Sequence, residues 1–238
     1  MARAALAGQT VSAAIFAALL ASGARAALVY GGATETGSLF NPGAGTITYM
    51  NCFTALASAS QDRLVVDEVV VGIRRRANFG ALVDVGLRIH VAEMTFDGGQ
   101  LGLGTSHLVY STASLGGGSA TLTQSVATGA VSVAPLLLET VSRPGFGGWW
   151  IGVEFTGPNA ASQFNGWRVV NAPTTGVSNN AYATLHVASG AFVPSNGFGN
   201  PPGSSPSRMM VNVDGAVVAA PWSLALVGLA GAVARRRR

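Results

Sequence analysis

The sequence predicts an all-β protein organised as a single β-sandwich domain. Charged residues make up only 10% of the chain, whereas 32 residues are glycine. Glycine-rich turns between runs of β-branched residues are typical of sandwiches and barrels. No long stretch has the apolar spacing of an amphipathic helix. The segment from Ala27 to Ala216 is long enough to bury a sizeable core, so one domain is expected.

Strands in the first half of the chain are indicated by β-branched and aromatic runs between turn residues. Val85–Val91 has the most regular alternation, which predicts one apolar and one mixed face. The alternation shifts at Ala92-Glu93, which predicts a β-bulge, and Asp97-Gly98-Gly99 predicts a tight turn. The other strands expected here are Leu28–Tyr30, Thr46–Asn51 and Leu64–Ile73, with a loop before Gly45.

In the second half, Trp149–Phe155 alternates well and is expected near the centre of a sheet. Proline cannot donate a ladder hydrogen bond, so Pro135 predicts an edge strand or a break within Val131–Val141. Pro194–Ser207 is rich in proline, glycine and serine and predicts a long loop or the start of a stalk. The remaining predicted strands are Leu108–Thr112, Ala120–Val126, Gly166–Asn171, Tyr182–Val187 and Arg208–Val213.

The N-terminal segment has the layout of a secretory signal peptide. Arg3 precedes the apolar run Val11–Leu20, and Ala24-Arg25-Ala26 forms a small-x-small site in front of Ala27. This pattern predicts Sec-dependent export and removal of residues 1–26 by signal peptidase. The alternative is an uncleaved anchor or a buried helix.

The C-terminal segment has an apolar stretch followed by a basic cluster. Residues 222–234 carry no charge, and extension back to residue 216 gives an apolar stretch interrupted by Pro221. Such a stretch approaches the roughly 20 residues that cross a bilayer, and terminal arginines hold their end on the cytoplasmic side. The alternative is a C-terminal core helix with a solvated end. The cluster consists of Arg235, Arg236, Arg237 and Arg238.

This tail resembles the PEP-CTERM sorting signal of Gram-negative bacteria. The Leu/Gly/Ala-rich run Leu224–Gly231 and the arginine cluster match that signal, while Ala220-Pro221-Trp222 keeps one proline of its Pro-Glu-Pro motif and no glutamate. The resemblance implies tethering in the inner membrane, followed by cleavage near Pro221 by an exosortase-like protease. It also implies release to the cell surface or the extracellular space, in a setting of exopolysaccharide and biofilm.

The order of segments in the middle of the chain resembles jelly-roll-like surface domains of exported bacterial proteins. This resemblance implies a jelly-roll-like sandwich, and the two targeting segments would flank it as an N-terminal signal helix and a C-terminal transmembrane helix. It is carried by Asp67-Glu68-Val69, Val85–Glu93, Leu108–Ser111 and Trp149–Val153. The expected organisation is residues 1–26 as signal peptide, 27–193 as the β-sandwich, 194–218 as loop, last strand and linker, and 219–238 as sorting tail.

Charge and motif content exclude several classes of function. Between the two targeting segments there are eight arginines and ten carboxylates, a net charge of −2. This balance is not a nucleic-acid footprint, because that would need a basic face on the folded domain. No nucleophile elbow is present, and the three histidines lack metal-ligand spacing. We therefore expect no catalytic residue, no cofactor and a non-enzymatic protein. The histidines are His90, His107 and His186.

Three groups of residues support alternatives. Asp62, Asp67 and Asp97 are a candidate set for a structural calcium ion. Trp150 or Trp167 is a candidate sugar platform, which would make the chain a carbohydrate-binding module; the alternative is that the tryptophans are buried. A hydrolase of extracellular polymers is the weakest interpretation, since the sequence identifies no pair of carboxylates that could act as catalytic acid and base. The single cysteine, Cys52, is expected to be a buried small apolar residue.

Overall fold

The structure is a computed structural model, and it describes residues 27–32, 35–40, 43–56, 62–75, 84–115, 121–137, 145–160, 165–170, 173–178, 182–195 and 208–218. These residues form fourteen strands and no helix, so the all-β prediction is confirmed. The predicted signal peptide (1–26) and sorting tail (219–238) lie outside the described residues. The strands are β1 (Ala27–Tyr30), β2 (Glu35–Phe40), β3 (Thr46–Ala55), β4 (Arg63–Arg75), β5 (Gly86–Asp97), β6 (Gln100–Thr112), β7 (Thr121–Val133), β8 (Leu136–Leu137), β9 (Phe146–Thr156), β10 (Asn165–Val170), β11 (Tyr182–His186), β12 (Ala191–Ser195), β13 (Arg208–Met209) and β14 (Val211–Val218).

The strands form two curled antiparallel sheets of seven strands each. The first sheet has the order β1-β14-β4-β10-β13, with β7 beside β4 and β2 beside β10. The second has the order β12-β11-β3-β9-β5-β6, with β8 beside β9. The predicted central position of Trp149–Phe155 is confirmed, because β9 lies between β3 and β5.

The facing sides of the two sheets share one apolar core. Alternate residues of a strand point to the same face, and this periodicity places Val69, Val71 and Ile73 of β4 and the odd-numbered residues 149–155 of β9 on the inner side. Their burial removes a large apolar area from water, which is the main favourable term in folding. The fully buried members include Val69, Val71 and Ile73 of β4, Leu87 and Ile89 of β5, and Trp149, Ile151 and Val153 of β9.

Trp149 ties the two sheets together inside this core. Its indole Nε1 donates a hydrogen bond to Oγ1 of Thr54 on β3 at 2.9 Å. Its ring meets Tyr30 of β1 edge-on, with the ring centroids 6.2 Å apart. Because β1 belongs to the first sheet and β3 to the second, one side chain contacts both layers.

Trp150 points to the opposite face of β9 and organises a second, smaller core. Its Nε1 donates to the carbonyl oxygen of Gly102 on β6 at 3.0 Å, and its ring lies edge-on to Phe192 of β12 at 5.8 Å. β6 and β12 are the two end strands of the second sheet. The sheet therefore curls until both of its ends contact Trp150. The other buried members of this core are Ile47, Tyr49, Ala92, Met94 and Ala183.

The local features predicted around the β5–β6 hairpin are confirmed. The register of β5 against β6 shifts between Ala92 and Met94, which is the predicted bulge. Gly98 and Gly99 form the turn with φ of 56° and 84°, a conformation that glycine adopts without steric cost. After the bulge β5 no longer pairs with β9, and the short strand β8 takes its place.

The chain crosses from the first sheet to the second at Ala134-Pro135. β7 ends at Val133 in the first sheet, and β8 begins at Leu136 in the second. The predicted interruption at Pro135 is thus confirmed, because a residue without an N–H fits best where no ladder hydrogen bond is made.

Two segments expected to be loops contain strands. β2 lies in the predicted loop before Gly45 and pairs with β10. β12 includes Pro194, which is paired with Ala183 of β11, so the domain boundary expected at residue 194 falls inside a strand. β12 is an end strand of the second sheet, and on the outer side of an end strand the missing N–H of a proline costs no hydrogen bond to a neighbouring strand. β2 is held by a partner far away in sequence, which local composition does not reveal, whereas β12 forms a hairpin with the preceding strand, β11.

Replacing Trp149 tests its role between the sheets. We expect Trp149→Phe to lower the free energy of unfolding by about 1–3 kcal/mol, because it leaves a void and removes the hydrogen bond to the buried Thr54. Urea unfolding followed by circular dichroism measures the loss. The control is Val187→Ala at an exposed position, which should stay within about 0.5 kcal/mol of the parent. Equal effects of the two substitutions would contradict this role.

Cys52 is buried in the shared core, as the sequence predicts. Burial raises the pKa of its thiol well above the ordinary value, and the thiolate is the reactive form of cysteine. We therefore expect a disulfide-exchange reagent to label the native protein no faster than the protein unfolds, and to label it at once in urea. Rapid labelling of the native protein would show that this part of the core is open.

Candidate functional site

Both tryptophans proposed as sugar platforms are buried. Trp150 is 1% exposed and Trp167 is 0% exposed. The indole Nε1 of Trp167 donates to the carbonyl oxygen of Met210 at 2.8 Å, which fixes it inside the first sheet. The interpretation with buried tryptophans therefore describes the structure, and neither ring offers an open face for stacking.

The remaining residues singled out from the sequence do not converge. Ala27 is the first residue of β1 and pairs with Gly215 of β14. Within the described part of the chain, no group of three or more His, Cys, Asp or Glu side chains is placed to hold a metal ion. Of the calcium candidates, Asp62 precedes β4, Asp67 lies within it, and Asp97 ends β5. The processing and topology residues Ala24, Ala26, Pro221, Arg235, Arg236, Arg237 and Arg238 lie outside the described residues.

A cleft of about 410 Å³ opens where the curled second sheet brings two hairpins together. One wall is the tip of the β5–β6 hairpin, and the other is the outer part of the β11–β12 hairpin. Pockets of this size are typical of small-molecule sites. The cleft is lined by Phe96, Gly99, Gln100, Leu101, Trp150, Tyr182, Pro194 and Ser195.

The lining combines aromatic rings with uncharged polar groups. Phe96 is 52% exposed at the rim, whereas Trp150 forms the floor. The ring of Tyr182 points to the other face of the second sheet, where it packs against the shared core and meets the ring of Phe40 edge-on at 5.0 Å, so Tyr182 borders the cleft without presenting its ring to it. Gln100 and Ser195 are the polar residues at the edge of the cleft, and Ser195 is paired with Tyr182 in the β11–β12 ladder. These groups donate and accept hydrogen bonds without carrying charge.

A polar group of side chains lies on the same face of the second sheet, along β9 and β5. Glu154 is only 6% exposed and accepts a hydrogen bond from Nη1 of Arg88 at 3.2 Å. Two residues further along the same pair of strands, His90 is paired with Gly152. The ring centroids of His90 and Tyr49 are 6.3 Å apart. The Nε2 of His90 is buried without a hydrogen-bond partner.

Gly152 explains why Tyr49 lies flat in this arrangement. A Cβ at position 152 would lie 2.5 Å from Cε1 of Tyr49, so only glycine leaves room for the ring over the backbone of β9. The hydroxyl of Tyr49 reaches Oγ of Ser106 on β6, 3.2 Å away. Tyr49 thus spans the concave face from β3 to β6.

Burial controls the protonation of this group. Loss of hydration lowers the pKa of His90 below its ordinary value, with Arg88 acting in the same direction and Glu154 opposing it. Burial also raises the pKa of Tyr49, against the opposing effect of its hydrogen bond with Ser106. Both side chains therefore favour their neutral forms, and the arrangement supports packing more than proton transfer.

The sequence analysis missed most of the cleft. It named Trp150 but not Phe96, Gln100, Tyr182 or Ser195. These residues come from four different strands and meet only because the sheet curls. The exposed apolar Phe96 beside a two-glycine turn is the one local signal of this site.

Comparison of the chain with protein-family models, with curated proteins and with solved structures found no match. The part of the chain that the structure describes contains no helix long and apolar enough to cross a membrane.

The lowered pKa of His90 gives a prediction about pH. The unfolded chain takes up a proton near pH 6.5, whereas folded His90 takes it up only at lower pH, so acidification favours unfolding across this window. The parent should lose more stability between pH 8 and pH 5 than His90→Asn does, as measured by urea unfolding. His186→Asn, at an exposed position, serves as the control. An equal loss in the parent and in His90→Asn would contradict the assignment.

Proposed function

We propose that this chain is an exported, non-enzymatic protein of the cell surface or extracellular matrix, tethered through its C-terminal tail until release. We further propose that its two sheets form a jelly-roll-like sandwich between a signal helix and a transmembrane helix. The observation that carries this proposal is the pair of targeting patterns at opposite ends of a single β domain. A signal peptide and a membrane-retained, arginine-ended tail are independent signals, and both point to export.

The pairing of β1 is compatible with the predicted cleavage. β1 begins at Ala27, the residue that follows the predicted cleavage site, and Ala27 is paired with Gly215 of β14. Cleavage in front of Ala27 would therefore leave this pairing intact.

The surroundings of two carboxylates support a non-enzymatic role. Glu154 is paired with Arg88, and Glu93 accepts a hydrogen bond from the backbone N–H of Ala134 and lies 3.8 Å from Arg63. Carboxylates paired in this way hold strands and corners together, whereas a catalytic acid or base must reach the substrate atom whose proton it moves. The proposed partners are the Sec machinery and signal peptidase, an exosortase-like protease, the inner membrane and exopolysaccharide.

Intact masses test the export route. Protein from the medium is expected to begin at Ala27 and to end near Pro221, because signal peptidase and the sorting protease cut there. Ala26→Arg should prevent the first cut and retain residues 1–26, since the cleavage site requires small side chains. Deletion of Arg235 to Arg238 should reduce membrane retention.

The matched control is Ser22→Ala, which keeps the apolar segment and leaves the Ala24-Arg25-Ala26 site intact. A full-length chain that stays inside the cell with Met1 and Arg238 still attached would refute export. A membrane-bound form that begins at Ala27 and retains Arg238 would leave export standing and refute processing at Pro221.

A further inference from the structure

We propose that this chain pairs with a second copy of itself through the outer face of the first sheet, about a two-fold axis that crosses the strands. The outer face is the side of β7, β4, β14 and β10 that points away from the shared core. The proposal depends on the charges of this face and is independent of the route by which the chain is exported.

Alternation along the strands identifies the side chains of the outer face. The inner residues of β4 are buried in the shared core, so Glu68 and Arg74, which alternate with them, point outward. Two hydrogen bonds between strands agree with this assignment. Oγ of Ser125 on β7 donates to Oε1 of Glu68, and Nη1 of Arg168 on β10 donates to Oγ1 of Thr123 on β7 at 3.4 Å.

The charges of the outer face are separated along the strands. Glu68 is paired with Asp214 of β14, so two carboxylates share one half of the face. Arg74 lies further along β4 in the other half. Arg168 lies in that half too, because a Cβ at Gly72 would be 2.9 Å from its Cδ. At about 3.3 Å per residue, the Cα atoms of Glu68 and Arg74 are about 20 Å apart.

The acidic half carries a repulsion that the described residues do not offset. Side chains directly opposite each other in an antiparallel pair have Cβ atoms about 5 Å apart, and like charges at this distance are destabilising. Among the described residues, no cationic group forms an ion pair with Glu68 or Asp214. Arg63, at the start of β4, instead contacts Ser132 and Glu93. A cation from another molecule would relieve this repulsion.

The basic half of a second copy can supply that cation. Glu68 and Arg74 lie three residues to either side of Val71, and the β4–β7 register is regular between them. A two-fold axis in the plane of the interface that crosses the strands at Val71 therefore places Arg74 of each copy over Glu68 of the other. The same rotation brings the half with Arg168 towards the half with Asp214. A contact that uses one patch twice in this way closes at a dimer.

The size and the composition of the outer face fit a reversible dimer. β4 and β7 have 13 residues each, so three neighbouring strands span about 40 Å by 15 Å. Two such faces bury about 1,200 Å² in total, which is the lower limit for specific interfaces. The centre is uncharged, with half-buried Val70 beside the exposed hydroxyl residues Thr123 and Ser125. Charged residues are likewise depleted at the centres of protein interfaces.

Sedimentation velocity of the full-length chain tests the pairing. The chain is kept in a density-matched detergent with a large excess of micelles, so that the apolar tails occupy separate micelles. We expect a monomer–dimer equilibrium that depends on protein concentration. Raising the salt concentration should weaken it by about tenfold or more, because salt screens the exposed charges that make the contacts.

Charge reversal at two positions gives the decisive comparison. Arg74→Glu and Glu68→Arg should each weaken self-association by about tenfold or more, since each makes both ionic contacts of the dimer repulsive. An equimolar mixture of the two variants should dimerise again, because every ionic contact between the two different chains is then attractive. Asp97→Arg, at the exposed β5–β6 turn, is the control with the same change in charge as Glu68→Arg. Unchanged thermal unfolding would confirm that each variant is folded.

Four results would overturn the proposal. A parent chain that stays monomeric at every concentration would remove the dimer. A dimer that both charge reversals leave unchanged would place the contact elsewhere. Failure of the mixed variants to dimerise would exclude the two-fold arrangement. Calcium binding by a monomeric parent, measured by calorimetry and lost in Glu68→Arg, would assign the carboxylates to a metal ion. None of these results bears on the export route, which the intact masses decide separately.

Discussion

The packing of two adjacent tryptophans on opposite faces of β9 is the constraint on which the rest of the structure depends. Trp149 contacts both sheets and sits in their shared core. Trp150 draws the two end strands of the second sheet together on the other face. Neighbouring residues in a strand cannot point the same way. The two adjacent residues therefore act together: Trp149 packs the two sheets against each other, and Trp150 holds the second sheet in its curled shape.

Much of the fold follows from local patterns, and the parts that do not follow are those set by distant partners. Alternation places β5 and β9, and turn chemistry places Gly98 and Gly99, because each depends only on residues a few positions apart. β2 cannot be identified this way, since its pairing with the distant β10 holds a segment of loop-like composition in a sheet. β12 is hidden for another reason: its partner β11 is its neighbour in the chain, but Pro194 gives the segment a loop-like composition. Tertiary pairing outweighs weak β-propensity in such strands.

The cleft shows the same limit for the candidate site. The residues that line it have no common spacing in the sequence, and strand order does not follow from local patterns. Trp150 is recognisable as a large aromatic residue, but its burial is decided by the approach of β6 and β12. The polar group around His90 is equally hidden, because Gly152 and Tyr49 meet only through the register of β3 and β9. Both features depend on which strands become neighbours.

The pairing of β1 with β14 also determines how the domain bears mechanical load. Ala27 is paired with Gly215, so the start of β1 and the end of β14 lie at the same edge of one sheet. A pull between the two chain ends would peel β1 from β14 one hydrogen bond at a time. β14 is more extensively paired, since it meets β4 at eight positions, from Val218 and Arg63 to Val211 and Val71, whereas β1 meets β14 at three. The C-terminal strand is thus the stronger of the two attachment points.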